Sequence, residues 1–316
     1  MRLGTLALSL ALAVTPLAAQ SHDAAAPTAD AAHSAPAKVD IITPHITDSK
    51  HLELPYWKPP FAIEVELPTW SWAQFHVGPM LVDLSPTKHV VMMLLAAVIL
   101  LVLLTGTARA HRRAATAGGV VHGKHNALEA IILYMRDEVI LPNVGHHGEG
   151  FVPLVLTIFF FILTMNLLGL VPYGATATGN IAVTATLAII AFFTIEIAGV
   201  RAQGVHYLNT LFYWNKDLPL IMRVLMFVIM SPVEMIGKLT KPFALAIRLF
   251  ANMTAGHIVV LAFIGLIFLF QSLISGAPFA MAVAIMVLEL FVAFLQAFIF
   301  SLLTSVFIGQ IREAHH

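Results

Sequence analysis

The chain has 316 residues, of which 59% are hydrophobic and only 11% charged, against roughly a quarter charged in a soluble domain. With a mean hydropathy of +0.87, this composition excludes a water-soluble globular domain and points to a polytopic membrane protein. Formal net charge is zero and no dense basic block occurs, so nothing argues for nucleic acid as a partner, and the absence of cysteine excludes disulfides, thiolate metal sites and a cysteine nucleophile.

The chain begins "MRLGTLALSLALAVTPLAAQ": one arginine, a short Leu/Ala run, then small residues at Ala18 and Ala19. That order predicts a signal peptide over 1–19, with an uncleaved anchor as the rival reading. Residues 20–85 form an extracytoplasmic stretch: an Ala/Pro/Ser/His-rich tail, then mixed segments with Trp57, Trp70 and Trp72 placed in the interfacial belt. The transmembrane domain, 86–316, opens with an apolar run from His89 to Ala108. It ends at Arg109, Arg112 and Arg113, which places the cytoplasm there and the N-terminus outside.

"NALEAIILYMRDEVILP", 126–142, is amphipathic and too charged to span, and is expected to lie along the cytoplasmic face. Residues 151–172 and 181–200 form two further spans. A broken helix is expected from about Leu218 to Leu239, around Pro232. Two long apolar runs follow, about 242–271 and 278–309, each roughly 45 Å as a helix against a hydrocarbon core of about 30 Å. The fold class is therefore an all-α membrane protein: five crossings plus an amphipathic face helix, the last two crossings a long, steeply tilted antiparallel hairpin. Lys and Arg cluster in the cytoplasmic connectors, which puts the C-terminus in the cytoplasm and the chain in a bacterial inner membrane.

Arg248 stands almost alone in the first of these long runs. A charge there is costly and is expected to face a partner or water, although a long stem two turns from Lys241 could also snorkel to the interface. Asn252 lies one turn on and Ala255 and Gly256 follow, a face of small residues suited to close helix contact. His257 is nearly opposite and deeper. Glu289 and Gln296 share a face of the next helix. The hairpin sets His257 level with Glu289, and Gln296 nearer Arg248. Histidine and carboxylate can pass protons, whereas arginine never deprotonates in practice; a plain ion pair holding the hairpin together is the alternative. Glu234 reads either as lining a second, cytoplasmic opening or as a solvated pair with Lys238 at i+4. Glu196 reads as interfacial. The 15 histidines show no ligand-like spacing, so no metal site is expected.

"SPVEMIGKLTKPFALAIRLFANMTAGHI" (231–258), "ELFVAFLQAFIFSLLTSVFIG" (289–309) and "TMNLLGLVPYG" (164–174) resemble subunit a of the F-type ATP synthase, with the likeness running over about 85–312. The resemblance implies a non-catalytic proton-channel subunit of a rotary motor. Arg248 would be the stator charge meeting a carboxylate on each helix of a rotating c-subunit ring. Asn166, Asn252, His257, Glu289 and Gln296 would line an outer half-channel and Glu234 a cytoplasmic one. Some relatives swap the histidine and the acid, and some carry an acid where this chain has Gly169, which is given no titrating role. The implied partners are the c ring, the b subunits of the peripheral stalk, the rest of the ATP synthase complex, lipid and protons; no cofactor is implied. A secondary transporter is the rival class, but it would show internal repeats and paired broken helices, and neither is found.

Overall fold

Period-two alternation in "HLEL" and "AIEVE" produces strands in the segment ahead of the first crossing. The computed structural model describes residues 47–55, 62–69, 74–77, 80–83, 85–117, 123–145, 148–171, 174–204, 207, 219–270 and 275–313. The expected signal peptide, the tail and Trp57, Trp70 and Trp72 lie outside the described residues. Strand β1 (His51–Pro55) pairs antiparallel with β2 (Ala62–Glu66), His51 opposite Glu66, and β3 (Gln74–Val77) with β4 (Met80–Asp83), Gln74 opposite Asp83.

Everything after the hairpins is helical. Helix α1 (Lys88–Ala117) is followed by α2 (Lys124–Tyr134), a wide π turn over Met135–Ile140 and a short α3 (Leu141–Val144). Together the last three replace the single surface helix expected at 126–142. Helix α4 (Val152–Gly169) leads through a 3-10 turn at Ala177–Gly179 into α5 (Ile181–Gln203). Asn180 starts α5 by accepting a hydrogen bond from the Ala182 N–H at 2.9 Å, and Gly204, at φ 59°, ends it. The chain closes with α6 (Leu220–Phe270) and α7 (Gly276–Glu313). Five helices are long and apolar enough to cross a membrane: α1, α4 with its leading 3-10 turn, α5, α6 and α7.

The expected break at 218–239 does not occur: α6 runs unbroken through Pro232 and Pro242 for 51 residues. Each proline removes one ladder hydrogen bond, but it is flanked by many intact turns, and Pro242 is itself buried against the bundle. At 1.5 Å per residue α6 is about 75 Å long, more than twice the hydrocarbon thickness, so it cannot stand upright within it.

The α6/α7 hairpin is antiparallel. Lys241 Nζ lies 4.7 Å from the Phe307 ring centroid while His257 meets Glu289, so positions descend along one helix as they climb the other. Gln296 consequently falls at the height of the Arg248 to Asn252 turn. The core is centred on α4, whose Phe159, Ile162 and Met165 are fully buried among Ala96 of α1, Leu249 and Met253 of α6, and Phe300 of α7. A second cluster, Ile140, Val144, Val155 and Ile308, seals the α3 end. There Gly309 brings the α7 backbone against the Asn143 carbonyl, where a Cβ would clash.

Candidate functional site

The α4–α5 connector, residues 174–180, turns polar side chains onto the helices at alternate positions. Thr176 Oγ1 lies 3.1 Å from His257 Nε2, and Thr178 donates to Asn166 Oδ1 at 2.7 Å. Asn166 in turn donates to the Ala293 carbonyl of α7 at 3.1 Å, and both Asn166 and Thr178 are fully buried. The other ring nitrogen of His257, Nδ1, is 2.8 Å from Glu289 Oε1, with the glutamate side chain 4% and the histidine 19% exposed. An ionised carboxylate can only accept, so Nδ1 then carries the hydrogen. Thr176 can donate to a neutral Nε2 or accept from a protonated one. The histidine therefore holds a hydrogen-bond partner in either charge state, as a proton carrier requires.

Two glycines make this geometry available. A Cβ at Gly256 would lie 2.9 Å from Glu289 Oε1, so the carboxylate rests directly on the α6 backbone. At Gly169 a Cβ would overlap the Thr176 side chain. The position where some family members place an acid is here filled by the threonine that reaches His257. Gln296 is buried one helical turn and three residues beyond Glu289.

Arg248 is set apart from this cluster. Its helix turns Leu245, Ala246, Leu249 and Met253 into the core, which leaves Ile247, Arg248, Ala251, Asn252 and Ala255 exposed. None of the hydrogen bonds or ion pairs among the described residues involves Arg248. Asn252 accompanies it on the exposed face and stands apart from His257 and Glu289, with which the sequence grouped it. Around both lies bare apolar surface: Ile258 and Val259 on α6, and Met286, Val287, Leu290, Phe291 and Phe294 on α7 are all exposed.

Toward the start of α6 a cavity of about 230 Å³ opens between α5, α6 and α7, lined by Glu196, Glu234, Lys238, Lys241 and Gln310 among others. The i+4 reading of Glu234 with Lys238 is not realised: among the described residues no ion pair joins them. Lys238 Nζ instead donates to Tyr207 Oη at 2.9 Å, sits 4.3 Å from that ring's centroid and lies 4.0 Å from Glu196 Oε1. Tyr207 donates onward to Glu196 Oε2. Burial, then the hydrogen bond and charge of Glu196, with a contribution from Glu234, push the Tyr207 phenol above its usual range, so it stays a donor. Glu234 is thereby left exposed at the cavity rim. Glu196, read as interfacial, is a wall of the same cavity. The sequence reading also missed Thr176, Thr178 and Tyr207. The first two had a signal, the alternating "TATGN" between two spans, whereas Tyr207 had none.

A family described as ATP synthase A chain matches residues 90–309. The chain is 45% identical over 277 residues to ATP synthase subunit a of Chloroherpeton thalassium, covering 87% of this chain and 77% of that protein. It is 40% identical over 321 residues to ATP synthase subunit a 2 of Chlorobium luteolum, covering 95% and 87%. To ATP synthase subunit a of Pelodictyon phaeoclathratiforme it is 43% identical over 301 residues, covering 92% and 82%.

Proposed function

The chain belongs to the ATP synthase A chain family, and from that membership we propose that it is the proton-translocating stator subunit of a rotary ATP synthase, offering two offset half-channels separated by Arg248. The chain forms no covalent intermediate in this role. It moves protons to and from carboxylates carried by another protein.

The observation that carries the reading is the placement of Arg248: a permanent charge with no anionic partner in its own chain, on an exposed apolar face beside small residues. Such a charge is tolerated in a membrane when something outside the chain meets it. A ring of c-subunit helices bearing carboxylates fits that face in shape and charge. Protons reach the ring from outside by way of Glu289 and His257, with Asn166 and Gln296 shaping the passage, and neutralise a ring carboxyl, which can then turn into lipid. An ionised carboxyl could not do so cheaply. After nearly a full rotation the carboxyl meets the cytoplasmic cavity at Glu234 and loses its proton there. Arg248, with Asn252 beside it, lowers the pKa of the arriving acid and bars a direct leak between the openings. In this orientation the α4–α5 connector faces outside, the cavity faces the cytoplasm, and the b subunits hold the chain against rotation.

Arg248→Ala is the experiment. In vesicles carrying the whole complex, proton-driven ATP synthesis should be lost while assembly persists. Coupled synthesis at the normal rate overturns the assignment.

A further inference from the structure

The proposed path begins at His257, yet the α4–α5 connector reaches one pair further. Two residues beyond Thr178, Asn180 donates from Nδ2 to Asp48 Oδ2 at 3.2 Å, and Asp48 Oδ1 lies 2.9 Å from His89 Nδ1. The ring nitrogen is off-line for a hydrogen bond, so the contact is chiefly ionic. A carboxylate thus faces an imidazole Nδ1 at each end of one short connector, Glu289 with His257 at 2.8 Å and Asp48 with His89 at 2.9 Å. The first pair is enclosed. In the second the histidine side chain is 4% exposed while the aspartate, at 23%, reaches water.

His89 occupies the first turn of α1, where the helix dipole disfavours a cation, and Lys88 beside it is also buried. Only a nearby anion makes a protonated imidazole tenable there. Burial alone would raise the Asp48 carboxyl, but the His89 contact and charge, with Thr87, outweigh it and hold it below its usual value of 3.8. Asp48 therefore stays ionised at neutral pH, and a proton held by the pair rides on the imidazole. Lys50 and Lys88 flank the pair in sequence. Thr87 and, from α5, Asn180 are the neutral polar groups facing it.

We propose that His89, with Asp48 as its ionised partner, is the outermost proton-carrying group of the path, taking protons from external water and passing them along the connector to Thr176 and His257. The inference rests on the reading that this end faces the proton source. Hydronium gives a proton to the imidazole, and the imidazolium returns one to water or hydroxyl on the connector side. The pair ends as it began. Asn180 cannot relay a proton through its amide; it positions Asp48. The segment ahead of the first crossing thereby gains a function, because its residue 48 completes the site.

The test uses the whole complex in liposomes, with ATP synthesis driven by a proton gradient and followed against the pH of the compartment facing Asp48. Asp48→Asn keeps the shape and the bond from Asn180 but removes the anion. Synthesis should fall about ten-fold near neutrality and recover as that compartment is acidified below about pH 5, where an unassisted imidazole is protonated. Asp48→Glu should restore much of the rate, and His89→Gln should be slow at every pH. A wild-type rate and pH profile for assembled Asp48→Asn or His89→Gln overturns the inference. So does a loss that does not depend on pH and matches a loss of assembled complex, since that marks a structural tie. His89→Gln supplies the reading alone should Asp48→Asn fail to assemble. Arg248→Ala, run alongside, separates the two levels: if it stays coupled, the stator reading fails, whereas if it is uncoupled and the Asp48 and His89 variants behave as wild type, only this inference falls.

Discussion

At the α4–α5 connector the polar groups are enclosed and paired one to one: Glu289 with His257, His257 with Thr176, Asn166 with Thr178. At the other end of α6, Glu196, Tyr207 and Lys238 share one network beside an open cavity, and Glu234 is left exposed at its rim. The contrast follows from what surrounds each cluster. The first lies between α4, α6 and α7, where packing excludes water and every buried polar atom needs a named partner. The second lies where α5 and α6 part, and water can stand in for a missing partner. Tight pairing suits a site that must hold one proton in a defined place, and an open rim suits one that must let a proton go.

The largest effect on the enclosed cluster should come from Gly256→Val. With even a Cβ there 2.9 Å from Glu289 Oε1, the larger side chain must displace the carboxylate or part the hairpin. Overpacking of this kind costs about 1–3 kcal/mol. Both proton-driven synthesis and thermal stability of the purified complex should fall, and unchanged values for both would show that the hairpin yields there freely. Glu289→Gln keeps the shape and removes the charge. Proton uptake from the connector side should slow by about 100-fold with assembly intact, measured as passive proton flux; unaltered flux would reduce the pair to a structural tie.

The open cluster should be more forgiving. Tyr207→Phe leaves the ring over Lys238 and removes the hydroxyl between Lys238 and Glu196, for a cost of about 1–2 kcal/mol. Because water reaches the cavity, proton release should change less than uptake does in Glu289→Gln, and an equal loss would erase the contrast drawn above. The smallest effect concerns acid. Asp48 has a carboxyl pKa depressed by folding, so its contribution to docking residues 47–50 is fully present above the ordinary value of 3.8 and is lost as pH falls through the lower folded value. Backbone hydrogen exchange around Leu67 N–H to Lys50 O and Lys88 N–H to Ser49 O should accelerate only in that acid range, and Asp48→Asn should abolish the step.

Much of the fold was readable because apolar run length and the position of arginines are local properties. The five crossings and the reversal between α6 and α7 needed nothing else. So was the His257 to Glu289 contact, since a hairpin of known turn position sets which residues share a height. The continuity of α6 was not readable: proline disfavours a helix interior locally, and only the surrounding turns and the burial of Pro242 decide that it is carried. Asn252 was misgrouped for a related reason. Helical spacing puts it with Arg248, and only the packing of Leu249 and Met253 shows that this shared face turns outward, away from His257. Lys238 was paired with Glu234 on spacing, but Tyr207, more than thirty residues distant in the chain, offered it both a hydroxyl and a ring face.

The sequence by itself determined that the chain lives in a membrane, how often it crosses, and that Arg248, His257 and Glu289 are the groups whose presence there must be compensated, because the cost of placing a charge in hydrocarbon does not depend on fold. The tertiary structure decided which compensation each receives: a neighbouring carboxylate for His257, a tyrosine and a second acid for Lys238, and for Arg248 nothing among the described residues. Partnership between side chains is a matter of distance in three dimensions, and that distance is set by packing.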